Sequence, residues 1–154
     1  LNENIYNAGF LRTQIEKLDE YFAPAEVDEI WITFPDPQLR TSKAKKRLTH
    51  PRFLRLYQQI LKPGGFIHLK TDSPDLYLFT KLVIEMYGCQ LLMDSDDIKG
   101  GTLDMQELDI QTHYESLDIA QSKKIHYLRF SLPLQMEEND DALKKLLKDE
   151  QGLD

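Results

Sequence analysis

The chain has 154 residues with 19 basic and 26 acidic side chains, a formal balance of −7, which excludes a generally polycationic nucleic-acid binder. That length with 41% hydrophobic residues excludes disorder throughout and fits one domain with a sizeable core. A single cysteine, Cys89, excludes an intramolecular disulfide; no run approaches the roughly 18 apolar residues of a membrane span, no charged-then-apolar leader opens the chain, and the expected setting is reducing, soluble and cytoplasmic. The four histidines are scattered without Cys/His ligand spacing, so no metal site is expected.

In chain order, Phe10 to Phe22 reads FLRTQIEKLDEYF, whose first residues fit the end of a short strand. Ile15, Leu18 and Phe22 then fall at helical spacing. Val27 to Phe34 is rich in β-branched and aromatic residues and is stopped by Pro35 and Pro37, which predicts a strand buried on both faces. Thr49 is placed to cap a helix with Pro51 in its first turn, and Phe53, Leu54, Tyr57, Ile60 and Leu61 form its apolar stripe. Pro63-Gly64-Gly65 ends that helix. Phe66 to Leu69 predicts a second strand, stopping at Lys70-Thr71-Asp72, and Ser73-Pro74 starts another helix running to about Tyr87 and Gly88. Strand, helix, strand, helix predicts a right-handed βαβ unit with a parallel sheet. Cys89 to Met93 reads as a further strand, Ser95 to Asp109 as a long loop, and Ile125 to Leu132 as a closing strand stopped by Pro133. The tail from Glu137 is charge-rich, with Leu143, Leu146 and Leu147 on one helical side, and is expected to be a solvated terminal helix.

Charge is distributed unevenly. Between Pro37 and Thr71 there is no Asp or Glu, whereas Arg40, Lys43, Lys45, Lys46, Arg47, Arg52, Arg55, Lys62 and Lys70 contribute nine positive charges, leaving 10 basic against 26 acidic groups elsewhere. A charge run is usually a solvated face, but this one abuts two carboxylates at strand ends. Asp36 follows the first strand and Asp72 the second, and in an open parallel sheet ligands bind beyond the carboxyl ends of the strands. Read alone, Asp36 is a turn residue between prolines and Asp72 a helix cap. Together at matching ends, they predict a site that opens onto the basic strip, whose cations suit the phosphates of a polyanion.

At these residues the chain resembles the tRNA (guanine-N7-)-methyltransferase family. It carries Phe34-Pro35-Asp36-Pro37-Gln38, Lys45-Lys46-Arg47-Leu48-Thr49, Leu61-Lys62-Pro63-Gly64-Gly65, Thr71-Asp72 and Thr112-His113-Tyr114-Glu115 in the family's order. The resemblance implies an α/β, Rossmann-like class I methyltransferase sheet, mostly parallel with an antiparallel final strand. It also implies S-adenosylmethionine as cofactor and methylation of N7 of a variable-loop guanosine in tRNA. Carried over by position, Asp36 is the catalytic and cofactor-side acid and Gln14 a cofactor-side residue where many relatives have an acid. Arg40 lies beside the substrate where lysine is usual, and Asp72, Thr112, His113, Tyr114 and Glu115 hold the target nucleotide. Ser42, Lys43, Ala44, Lys45, Lys46 and Arg47 form the RNA-contacting loop.

Those residue types suit the implied chemistry. Guanine N7 has a free lone pair, so attack on a methyl group needs orientation and electrostatics rather than a general base. The N1–H and N2–H₂ donors of guanine can be accepted by Asp36, Asp72 or Glu115, and the base has to be unstacked to reach them. Two departures stand out: Gln38 replaces the family's tryptophan, and the glycine-rich first loop and the acid ending the second strand have no counterpart. The chain is accordingly expected to be the carboxyl-terminal part of such an enzyme, with residues 1–135 in the methyltransferase domain and 136–154 a charged terminal helix or tail. Its sheet is expected to lack the first strands, and the fragment alone to bind the cofactor poorly and methylate nothing. The competing readings are a class I methyltransferase for another RNA or a small molecule, and a non-catalytic RNA-binding module. Oligomeric state, monomer or homodimer, is left open.

Overall fold

A computed structural model describes residues 4–100, 106–113 and 123–151. Four strands form one sheet: β1 (Val27–Thr33), β2 (Leu61–Thr71), β3 (Gln90–Ser95) and β4 (His126–Ser131), in the spatial order β1-β2-β4-β3. β1 and β2 are parallel; β4 is antiparallel to both β2 and β3, so β3 runs with β1 and β2. Three of the four strands thus run the same way and the final strand runs against them, consistent with a Rossmann-like methyltransferase sheet.

The helices are α1 (Leu18–Tyr21), preceded by a 3₁₀ turn at Ile15–Lys17, α2 (Pro51–Ile60), α3 (Pro74–Met86), α4 (Gln106–Asp109) and α5 (Asp140–Gln151). α2 crosses from β1 to β2 and α3 leads from β2 to β3. The gap that α3 leaves between β2 and β3 is filled by β4. Ile30 and Ile32 of β1 share a sheet face with Ile67 and Leu69 of β2 and with Leu128 and Phe130 of β4. That face joins Phe53, Leu54 and Tyr57 of α2 and Leu76, Phe79 and Val83 of α3 in one apolar cluster, as the helical stripe of α2 predicts.

The opposite face is more polar. Trp31 stacks on His68 with ring centroids 3.9 Å apart and an interplanar angle of 5°, and His68 Nδ1 is 2.8 Å from the Tyr127 hydroxyl. Burial lowers the His68 pKa from its usual range and raises that of Tyr127 to about 12, so both are neutral near pH 7 and can share that hydrogen bond without a charge in the interior.

Several expectations are corrected. β1 is not buried on both faces: within it only Ile32 is buried, because β1 is an edge with β2 as its one neighbour among the described residues. Phe10 to Gln14 forms no strand. The cap of α2 is His50, not Thr49: His50 Nδ1 accepts from the Arg52 backbone N–H at 3.1 Å, since the residue directly before Pro51 takes the cap position. Thr49 is fully buried, and its hydroxyl lies 2.7 Å from that of Thr80. Because Thr80 donates to the Leu76 carbonyl, Thr49 is the donor, tying the start of α2 to α3. LKPGG does not merely end a helix. α2 stops at Ile60 and β2 begins at Leu61, with the register slipping between the pairs Val27–Leu61 and Glu29–Phe66. The segment expected as a long loop contains a 3₁₀ turn at Ile98–Gly100 and α4. The terminal helix α5 is docked rather than solvated, with Leu143 1% and Leu147 8% exposed inside the main core cluster and Leu146 left exposed.

Candidate active site

β1 and β2 deliver their ends to one place. Thr33 pairs with Lys70, and the chain leaves β1 through Phe34, whose backbone N–H donates to the Lys70 carbonyl at 2.8 Å. Phe34 has φ +47° and Gln38 φ +48°, so two side-chain-bearing residues in the left-handed region bracket Pro35-Asp36-Pro37. Each costs of order 1–2 kcal/mol in backbone strain, a cost that persists where the surroundings fix it. The fixing groups are present. Asp36 Oδ1 accepts from the Gln38 N–H at 3.0 Å, and the Arg47 guanidinium donates twice to the Gln38 carbonyl at 3.2 Å while stacking 4.5 Å over Phe79. Asp36 is exposed at the tip of this loop.

β2 ends at Thr71, whose hydroxyl accepts from the Ser73 N–H at 3.1 Å, and Ser73 caps α3 by accepting from the Leu76 N–H at 3.2 Å. Ser73, not Asp72, is therefore the helix cap, and the cap explanation of Asp72 does not hold. Asp72 faces a crevice of about 710 Å³ that also touches Pro37, Leu39, Asp96, Lys123, Lys124 and His126. Its side chain is 16% exposed and lies 3.2 Å from Lys123 Nζ.

Lys123, Lys124, Asp96 and His126 line this crevice and were not singled out from the sequence. β4 is antiparallel and pairs His126 with Thr71, so whatever precedes β4 arrives where β2 ends. The Lys123-Lys124 pair just ahead of the closing strand was the available signal. Lys124 Nζ is 2.7 Å from Asp96 Oδ2; that hydrogen bond holds the Asp96 carboxyl below its usual range and raises the Lys124 ammonium. His126 Nδ1 lies 3.2 Å from Asp96 Oδ1 without the alignment of a hydrogen bond, and its ring stacks 4.6 Å from Tyr77.

Lys70, 2% exposed, donates to the Leu108 and Ile110 carbonyls at 3.5 and 3.2 Å. It thereby holds the segment that runs on to the half-buried Thr112 and the exposed His113. Tyr114 and Glu115 lie outside the described residues. Gln14 is exposed ahead of the first helical turn, its side chain makes no capping bond, and it does not line the crevice.

The basic loop forms a 3₁₀ segment over Thr41–Lys46. Arg40, Ser42, Lys43, Lys45 and Lys46 are exposed, whereas Ala44 and Arg47 are buried at 4% and 5%. Arg47 is thus spent on the Asp36 loop. Arg52 pairs with Glu16 at 2.9 Å, Arg55 with Asp140 at 2.7 Å and Lys62 with Asp28 at 2.6 Å. The strip therefore does not extend onto α2: of its nine cations, Arg40, Lys43, Lys45 and Lys46 remain exposed and outside any ion pair among the described residues.

Chemically, the arrangement offers carboxylates as hydrogen-bond acceptors at a strand-end crevice, flanked by lysines and a cationic loop. Among the described glycines none directly follows β1 or β2: Gly64 and Gly65 sit at the start of β2, Gly88 follows α3, and Gly100 ends the 3₁₀ turn that comes after β3. The described residues place an exposed carboxylate, Asp36, after a parallel strand and do not supply the glycine turn of a nucleoside-type cofactor site.

The family described as "Putative methyltransferase" matches residues 2–128. A tRNA (guanine-N(7)-)-methyltransferase of Porphyromonas gingivalis is 49% identical over 133 residues, covering 86% of this chain and 54% of the relative. Proteins of the same name from Bacteroides thetaiotaomicron and Christiangramia forsetii are each 41% identical over 133 residues, covering 52% and 59% of those relatives. The chain spans between about half and three fifths of the length of these curated relatives. With FPDP and TD at adjacent strand ends, and a match over most of its length, the chain belongs to this methyltransferase family.

Proposed function

We propose that the protein takes part in transferring a methyl group from S-adenosylmethionine to N7 of a guanosine in tRNA. The observation that supports this most is the delivery of Asp36 and Asp72 to one end of the sheet by parallel neighbours β1 and β2, beside four exposed cations that form no ion pair among the described residues. The names of the relatives favour tRNA and guanine N7 over other acceptors.

S-adenosylmethionine, when bound, supplies the electrophilic methyl group. The chain's own residues orient the acceptor. Asp72, and Glu115 by position, accept the N1–H and N2–H₂ donors of guanine, leaving N7 directed away from them. Asp36, on a loop whose shape is fixed by Phe34, Gln38 and Arg47, places a negative charge beside the path along which positive charge passes to the purine. A preset carboxylate stabilises that redistribution without reorganising. Arg40 and the exposed lysines of Thr41–Lys46 hold phosphates. By the family resemblance Gln14 is assigned to the cofactor, and Thr112 and His113 are assigned to the target nucleotide together with Tyr114 and Glu115, which lie outside the described residues. The setting is the cytoplasm; no described helix is long and apolar enough to cross a membrane.

The test is transfer of labelled methyl from S-adenosylmethionine to unmodified tRNA by the full-length protein, with the modified nucleotide mapped. Asp36→Ala is expected to lower kcat/KM by at least about 100-fold, the scale of losing one preorganised electrostatic group. Asp72→Asn, which keeps shape but replaces an acceptor with a donor, is expected to raise KM for tRNA and lower kcat. Unchanged rates in both variants, or methylation of another atom, would sink the reading.

A further inference from the structure

The C-terminal helix α5 begins at Asp140, beyond residue 128 where the family match ends. It does more than close the core. Between α5 and the 3₁₀ segment Thr41–Lys46 lies a cavity of about 350 Å³, within the size range of ligand pockets of about 300–1,000 Å³. One wall presents Thr41, Ser42 and Lys45, the other Lys144 and Lys148, one turn apart on α5. None of these three lysines forms an ion pair among the described residues.

The neighbouring titratable groups do not neutralise them. Asp140 is engaged by the Arg55 guanidinium at 2.7 and 3.0 Å and by the Tyr87 hydroxyl at 2.6 Å. His50, on the cavity wall, uses Nδ1 to accept the Arg52 N–H and is neutral. Asp141 remains, one carboxylate against three ammonium groups. Like charges converging on a cavity without a full counter-charge repel one another, and an external anion relieves that repulsion. Two hydroxyls in the same wall add donors suited to phosphate oxygens.

We propose that this groove is a second phosphodiester-binding wall, through which α5 grips the RNA backbone that the basic loop contacts from the other side. The occupant is the sugar-phosphate backbone of the tRNA substrate, so the inference rests on the function proposed above. α5 is thereby part of the substrate surface, and its docking through Leu143 and Leu147 sets the width of the groove.

The test measures tRNA affinity of the full-length protein as a function of salt. Lys144→Ala with Lys148→Ala removes two phosphate contacts while keeping a strong helix former at both sites and leaving Leu143 and Leu147 in place. The log–log salt slope is expected to shrink by about 1 for each lysine lost. The fall in affinity between about 50 and 200 mM salt should then be about tenfold smaller than in the unaltered protein. Lys145→Ala removes an equal charge from the same helix outside the cavity and is expected to leave the slope nearly unchanged. A double variant with the unaltered slope, or a Lys145→Ala slope reduced as much per lysine, would overturn the groove while leaving the methyltransferase reading intact. Absence of tRNA binding by the unaltered protein would overturn that reading, and the groove with it.

Discussion

His50 shows how much one side chain can be asked to do. Its ring caps α2 through an unprotonated Nδ1, and burial pushes its pKa from 6.5 down to about 4, with Asp140 pulling upward against Arg52 and the lysine beside it. Between pH 6.5 and 4 the unfolded chain binds a proton at this position that the folded chain refuses. The stabilisation is therefore complete above 6.5 and is lost as the pH falls towards 4. Thermal melts between those pH values are expected to show Tm falling with acidity. His50→Asn keeps a capping oxygen but does not titrate, and should flatten that dependence; an equally steep fall in the variant would contradict the assignment. Thr49 and His50 both offer a capping acceptor, and the position directly before Pro51 gives the cap to His50. What the sequence did not show is the use found for Thr49, whose hydroxyl bonds Thr80, 31 residues away. Arg47 was hidden in the same way: its bonds to the Gln38 carbonyl and its place over Phe79 are tertiary facts, so a loop arginine read as an RNA contact turned out to shape the Asp36 loop.

Among elements, the strands and the two long helices were legible because their periodicities are local. β1, β2, β3, β4, α2 and α3 all lie within a few residues of where pattern and punctuation put them. The exception is instructive. Leu61 completes the apolar stripe of α2 yet begins β2, and the five residues LKPGG form a bulged entry into the strand. Gly65 is required there by close approach. A Cβ at this position would meet the Asp28 carbonyl oxygen at 2.8 Å and the Lys62 carbonyl oxygen at 2.9 Å, both backbone atoms that cannot swing aside. Gly65→Ala is expected to destabilise the protein by about 1–3 kcal/mol, read as a lowered denaturation midpoint. Gly64, at φ +77° with open space where a Cβ would stand, is constrained by backbone conformation instead. A Gly65→Ala variant as stable as the unaltered protein would show that the entry to β2 is pliable.

For the molecule as a whole, net charge was a poor guide and its location a better one, though location too needed the fold. Sequence placed nine cations in one strip; folding spends Arg52, Arg55 and Lys62 on ion pairs and buries Arg47 and Lys70. Lysines far along the chain come back to the basic strip, Lys123 and Lys124 in a crevice that touches Leu39, and Lys144 and Lys148 of α5 in a cavity that touches Thr41, Ser42 and Lys45. Phosphate contacts should follow the folded distribution. Arg52→Gln and Lys62→Gln are expected to leave the salt slope of tRNA binding unchanged, whereas Lys43→Ala and Lys46→Ala each reduce it by about 1. Equal effects from all four would mean that only the total charge matters.

The spatial order β1-β2-β4-β3 has a consequence for how the protein comes into being. The last of the four strands to leave the ribosome is an interior one, so β2 and β3 each wait with an unpaired edge while some thirty intervening residues, Asp96 to Ile125, are made. Such edges are templates for pairing with other chains. When β4 does insert, it zips both edges at once and carries Lys123 against Asp72. The crevice is therefore not an ornament added to a finished sheet: closing the sheet and assembling the site are the same folding event, and a chain that has not completed the first cannot hold the second.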